Sequence, residues 1–140
     1  MSKVAVVYWS GTGNTAAMAQ AVSDGAAATG AEVKIIPAGQ FTKDDVASYD
    51  AIAFGCPAMG AEQLEESEFD PMFEDVKGSL SGKKIALFGS YGWGDGEWMR
   101  LWEADAKGAG ANLACESVMA NNAPDDEAVE ACKSLGRVLA

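Results

Sequence analysis

The stretch Val4-Ala5-Val6-Val7-Tyr8-Trp9-Ser10-Gly11-Thr12-Gly13-Asn14-Thr15 decides the fold. Its first six residues form an unbroken apolar run of β-type side chains. A strand covered on both faces reads this way, whereas a half-exposed strand alternates. Two glycines follow, and then an Ala-rich stretch from Asn14 to about Thr29. There Met18, Val22 and Ala26 recur at helical spacing, and Gly30 ends the run. A buried strand, a glycine turn and a helix in that order open a βαβ unit.

The rest of the chain repeats the alternation. Strands are expected at Glu32–Ile36, Ala51–Gly55, Lys84–Phe88 and Leu113–Met119. Helices are expected at Thr42–Ser48, Phe69–Val76, Glu97–Lys107 and Asp125–Leu139. Thr42 reads as an N-cap ahead of Asp44 and Asp45. In the fourth helix Trp98, Leu101 and Trp102 are expected to share one buried face. Five strands alternating with about five helices make an α/β protein: a doubly wound parallel sheet with helices on both faces. Ligands of such sheets sit beyond the carboxyl ends of the strands, at the switch point in strand order.

The chain has 140 residues, the size of one domain, and a formal net charge of −11. That charge argues against nucleic acid as a partner, because phosphodiester backbone repels it. With no histidine, a Ser-His-Asp triad and a His metal site are excluded. Cys56, Cys115 and Cys132 are widely spaced and form no CxxC pair, so they read as reduced thiols. The N-terminal apolar run is too short for a signal sequence or a membrane span. A cytoplasmic protein without membrane contact is expected.

Three loops at strand ends are unusual in composition. Ser10-Gly11-Thr12-Gly13-Asn14-Thr15 offers glycines for close backbone approach, the amides of a helix start and three hydroxyls. That set suits a phosphate held by neutral donors. A capped Gly-rich turn is the plainer alternative. A P-loop is disfavoured because no lysine follows. The match of Gly11, Gly13 and Ala16 to a dinucleotide fingerprint lacks the acid that should end the second strand. Cys56-Pro57-Ala58-Met59-Gly60-Ala61-Glu62 follows strand three, and Gly89-Ser90-Tyr91-Gly92-Trp93-Gly94-Asp95-Gly96 follows strand four. Met59 and Trp93 on facing loops would sandwich a flat heterocycle, for which a flavin is suited. Amides around Gly92 and Trp93 would meet ring carbonyls, and Glu62 would accept from a ring N–H. Trp98 and Trp102 read as core. Trp9 reads equally as core or as a shield over the phosphate loop.

These loops, with Leu64-Glu65-Glu66-Ser67-Glu68 and Asn122-Ala123-Pro124, resemble the short-chain flavodoxins over nearly the whole chain. The resemblance implies a five-stranded sheet of order 2-1-3-4-5 and a non-covalent FMN that carries single electrons at low potential between redox enzymes. It implies that Ser10, Gly11, Thr12, Gly13, Asn14 and Thr15 bind the FMN phosphate. Met59 and Trp93 would flank the isoalloxazine, and Gly60 would turn its carbonyl toward N5 on reduction. Glu62 would contact N3, and Gly92 and Trp93 the ring carbonyls with Ser90 nearby. Ala58, Tyr91 and Gly94 complete the cofactor-binding set, and Asn122 would reach the ribityl chain. Ala61 departs from the Asp, Ser or Asn that relatives often carry after the turning glycine.

Glu62, Glu65, Glu66, Glu68, Asp70, Glu74 and Asp75 form a run without Lys or Arg from 62 through 76. It reads as a solvated face that also steers basic-surfaced redox partners to a monomeric carrier. An FMN-dependent quinone or nitro reductase on the same fold is the alternative, although no insertion offers a substrate or nicotinamide site.

Overall fold

The computed structural model of the protein describes residues 2–11, 13–59, 64–92 and 96–140. Its elements run β1 (Lys3–Tyr8), α1 (Asn14–Ala27), β2 (Glu32–Pro37), a 3₁₀ turn (Ala38–Gln40), α2 (Lys43–Val46) and β3 (Ala51–Gly55). Then come α3 (Phe69–Lys77), β4 (Lys84–Tyr91), α4 (Glu97–Gly108), β5 (Asn112–Leu113), β6 (Val118–Asn121) and α5 (Asp126–Leu139). All described strand pairings are parallel, in the order β2-β1-β3-β4-β5, with β6 also on β4. The expected order 2-1-3-4-5 is therefore the one observed.

Each face of the sheet packs on its own pair of helices. One face presents Ile52, Phe54, Ile85 and Leu87 to Phe69 and Phe73 of α3 and to Trp98 and Trp102 of α4. Phe54–Phe73 and Phe69–Trp102 meet edge to face at 5.3 Å, and Phe69 and Phe73 lie nearly parallel at 6.3 Å. The other face presents Val4, Val6, Ala51, Ala53, Ala86 and Phe88 to α1 and α5. These helices approach so closely that a Cβ on Gly136 would stand 2.1 Å from the Val22 carbonyl oxygen. Any larger residue at 136 would force the two helices apart.

Two expectations are corrected. The fifth strand is two pieces rather than Leu113–Met119. Leu113 pairs with Ile85 and Val118 with Phe88, so five steps of chain cover three steps of β4. The surplus leaves the sheet at Cys115–Ser117, where the Ser117 hydroxyl donates to Glu103 Oε2 on α4 at 2.7 Å. Leu101 is 59% exposed rather than core. The buried stripe of α4 runs through Trp98, Met99, Trp102 and Ala106, and at about 100° per residue Leu101 falls to one side of it. Smaller differences lie at element ends. β4, for example, extends past Phe88 to Tyr91, which carries its last residues into the cleft described below.

Candidate functional site

Strand order reverses between β1 and β3, and a cleft opens beyond the carboxyl ends of these strands and β4. It is lined by Trp9, Gly11, Asn14, Pro57, Ala58, Met59, Ser90, Tyr91, Gly92 and Asn122, with a volume of about 220 Å³. A larger groove of about 550 Å³ lies between residues 115–119 and α5, away from the glycine and hydroxyl loops. The switch-point cleft is preferred on chemistry rather than size.

The first wall is local. Gly13 takes φ 95°, a left-handed conformation that suits glycine, and caps α1. The Ser10 hydroxyl oxygen accepts from the Gly13 N–H at 3.1 Å and the Ala16 N–H at 3.3 Å. A hydroxyl that accepts twice on one side keeps its own proton to donate elsewhere. Other first-turn amides of α1 lack partners inside the helix, and the helix dipole makes this end attractive to an anion. Thr15 is 1% exposed, and its hydroxyl lies 3.3 Å from the Ser90 hydroxyl. It thus links the first loop to β4, and its hydroxyl does not face open cleft.

The second wall comes from distant segments. Cys56 N–H donates to Phe88 O at 3.1 Å and Ala58 N–H to Ser90 O at 2.9 Å, which prolongs the β3–β4 ladder into the loops. Gly89 permits this approach, since a Cβ there would stand 2.1 Å from the Cys56 carbonyl oxygen. Tyr91 packs against Trp98 with centroids 5.6 Å apart. Asn122 has φ 57° and donates its N–H to Tyr91 O at 2.7 Å, which sets its side chain beside Gly92. Trp98 is core, as expected, and donates from Nε1 to Cys56 O at 3.2 Å.

Of the residues assigned from sequence, Gly11, Asn14, Ala58, Met59, Ser90, Tyr91, Gly92 and Asn122 line one cleft, with Ser10, Gly13 and Thr15 framing its first loop. Thr12, Gly60, Glu62, Trp93 and Gly94 lie outside the described residues. Trp9 meets both expectations: it packs against the core and also lines the cleft, lying over Gly11, and its Nε1 donates to Glu68 Oε2 at 3.0 Å. Pro57 also lines the cleft and was not singled out in the sequence. Glu65 and Glu68 depart from the reading of a purely solvated acidic run. Glu65 is buried, and Glu68 holds an indole.

The three thiols are free. Burial pushes Cys56 and Cys132 up to about 12, so neither is a thiolate near neutrality. Among the described residues no Cys, Asp and Glu cluster could hold a metal ion.

A doubly wound sheet with this cleft defines the mononucleotide-binding class of α/β proteins. The flavodoxin family model matches residues 6–136. The flavodoxin of Megasphaera elsdenii is 47% identical over 140 residues, covering 98% of this chain and 98% of that protein. The flavodoxin of Clostridium beijerinckii is 44% identical over 135 residues, covering 96% and 97%. The solution structure of the two-electron reduced Megasphaera elsdenii flavodoxin superposes with a TM-score of 0.90 at 48% identity, covering 97% of each chain. The chain belongs to the flavodoxin family, whose members are FMN-dependent electron carriers rather than enzymes. The reductase alternative is set aside on that ground.

Proposed function

We propose that the switch-point cleft holds FMN with its phosphate at Ser10–Thr15 and its ring flanked by Met59 and Trp93. The protein would then carry single electrons at low potential between redox enzymes. The observation that carries this reading is the Ser10 hydroxyl, oriented by the Gly13 and Ala16 amides at the start of α1. The donor set fits an anionic terminal phosphate. It consists of a hydroxyl and helix-start amides, with a glycine that admits close approach. No Lys or Arg occurs between residues 4 and 33, so neutral donors and the helix dipole supply the attraction.

Bound FMN supplies the redox chemistry, taking and releasing electrons at its isoalloxazine ring. The chain's own residues bind it, orient it and exclude water. Trp9, Ala58, Met59 and Tyr91 contribute apolar surface to the cleft. Ser90 and Asn122 supply polar groups, Asn122 toward the ribityl chain. Gly60 is proposed to offer its carbonyl to the ring N5–H after reduction, and Glu62 to accept from N3–H. Trp93, with Gly94 beside it, is proposed to cover the ring. The net −11 charge resists a further negative charge on the ring and so lowers the potential.

Redox partners with basic surfaces are proposed. Glu66, Glu68, Glu74 and Asp75 are exposed on the segment around α3, and such a field raises encounter rates. We place the protein in the cytoplasm as a monomer, its 140 residues forming one FMN-binding unit. Among the described residues no helix is long and apolar enough to cross a membrane.

FMN titrated into the apoprotein should lose its fluorescence at a 1:1 ratio, and riboflavin, which lacks the phosphate, should bind far more weakly. Equal affinity for the two would contradict the role assigned to Ser10–Thr15.

A further inference from the structure

Glu65 is 6% exposed, and four donors surround its carboxylate. Oε1 accepts from the Glu68 N–H at 2.7 Å and the Phe69 N–H at 3.0 Å. Oε2 accepts from the Ser67 N–H at 2.8 Å and from the Ser67 hydroxyl. Four donors match the lone-pair capacity of a carboxylate, so the group is saturated. Burial pushes its carboxyl up. The bonds from the Ser67 hydroxyl and from the Phe69, Glu68 and Ser67 amides outweigh that and hold it at about 2.

The turn held in this way sends a link to each wall of the cleft. Glu68 Oε2 accepts from Trp9 Nε1 at 3.0 Å, on the first wall. The Glu65 N–H donates to Cys56 Sγ at 3.4 Å, next to Pro57 on the second. Cys56 is itself anchored to the sheet and to α4. Its N–H donates to the Phe88 carbonyl oxygen at 3.1 Å, and its own carbonyl oxygen accepts from Trp98 Nε1 at 3.2 Å. The 65–69 turn therefore bridges an indole on the first wall and a fixed point of the second.

We propose that Glu65 is a positioning residue. Its carboxylate fixes the 65–69 turn and thereby sets the spacing between the Trp9 wall and the Pro57–Met59 wall, on which FMN affinity and potential depend. This role rests on the cleft being the FMN site.

Three variants of the full chain test it, with and without added FMN. Glu65→Asp keeps the charge and shortens the reach. Glu65→Gln keeps the shape and turns an NH₂ toward donors. Asp70→Asn removes a charge from the first turn of α3 and leaves the Glu65 contacts in place. Both Glu65 variants should speed hydrogen exchange at the Ser67, Glu68 and Phe69 amides. Both should weaken FMN binding by about tenfold and shift its potentials, because buried donors lose their acceptor. Asp70→Asn should leave exchange and affinity unchanged. Should the Glu65 variants not fold, Ser67→Ala, which removes one of the four donors, should give a smaller change in the same direction.

Wild-type affinity and potentials in Glu65→Asp would overturn the positioning role, since charge alone would then suffice. An unchanged Ser67→Ala would overturn it as well. Wild-type protein that takes up no FMN would overturn the functional reading and this role together. Wild-type protein that binds FMN, with unchanged Glu65 variants, would overturn this role alone.

Discussion

The two walls of the cleft are built by different means. The first comes from one short stretch, Trp9 to Ala16, ordered by the Ser10 hydroxyl and the start of α1. The second joins Pro57–Met59, Ser90–Gly92 and Asn122, segments far apart in the chain and held by the ladder beyond β3 and β4. Neither wall carries a charged residue, and the seven acids at 62–76 belong to the segment whose 65–69 turn bridges the two. A local wall can be altered without disturbing the sheet, and a wall assembled from distant segments cannot.

Gly89→Val gives the largest expected effect. Its side chain would collide with the Cys56 carbonyl, and overpacking of this kind costs about 3 kcal/mol. Urea unfolding should show that loss, together with loss of FMN binding. A stable variant that binds FMN normally would break the distinction between the walls.

Glu65→Gln comes next. The carboxyl is held at about 2 in the folded protein against an ordinary 4.5. A depressed value stabilises the fold above the ordinary pKa, and that contribution fades as pH falls from 4.5 toward 2. Wild-type protein should exceed the variant by about 1–3 kcal/mol near neutral pH, and the gap should narrow over that window in unfolding measured as a function of pH. A gap that is independent of pH would contradict the buried carboxylate.

Ser10→Ala should act on the local wall alone. FMN should bind about tenfold more weakly, and apoprotein stability should change by about 1 kcal/mol or less. A loss of stability as large as that of Gly89→Val would show that the first wall also supports the sheet.

Salt should have the smallest effect on the protein itself and act on docking. Electron transfer to a basic-surfaced partner should slow as ionic strength rises, read by stopped flow. A rate that does not respond to salt would leave the acids at 62–76 without a steering role.

The same division explains what was legible in the sequence. The first wall could be read because its glycines, hydroxyls and helix start are neighbours in the chain. The α/β alternation could be read because buried parallel strands leave apolar runs such as Val4–Val7 and Ala51–Phe54. The break in the fifth strand could not, because it depends on register against β4. Leu101 was misplaced because Met99, not Leu101, completes the buried stripe of α4. The Glu65 turn was hidden inside an acidic run, where burial of one carboxylate leaves no compositional trace. Its one local signal was a glutamate four residues before Phe69, in reach of the unpaired amides that open α3.

The most direct test of the account is a potentiometric titration of the purified holoprotein, followed by its visible spectrum. The protein should hold one FMN per chain, reduced in two separated one-electron steps. A single two-electron step, or a protein that takes up no FMN, would contradict the account.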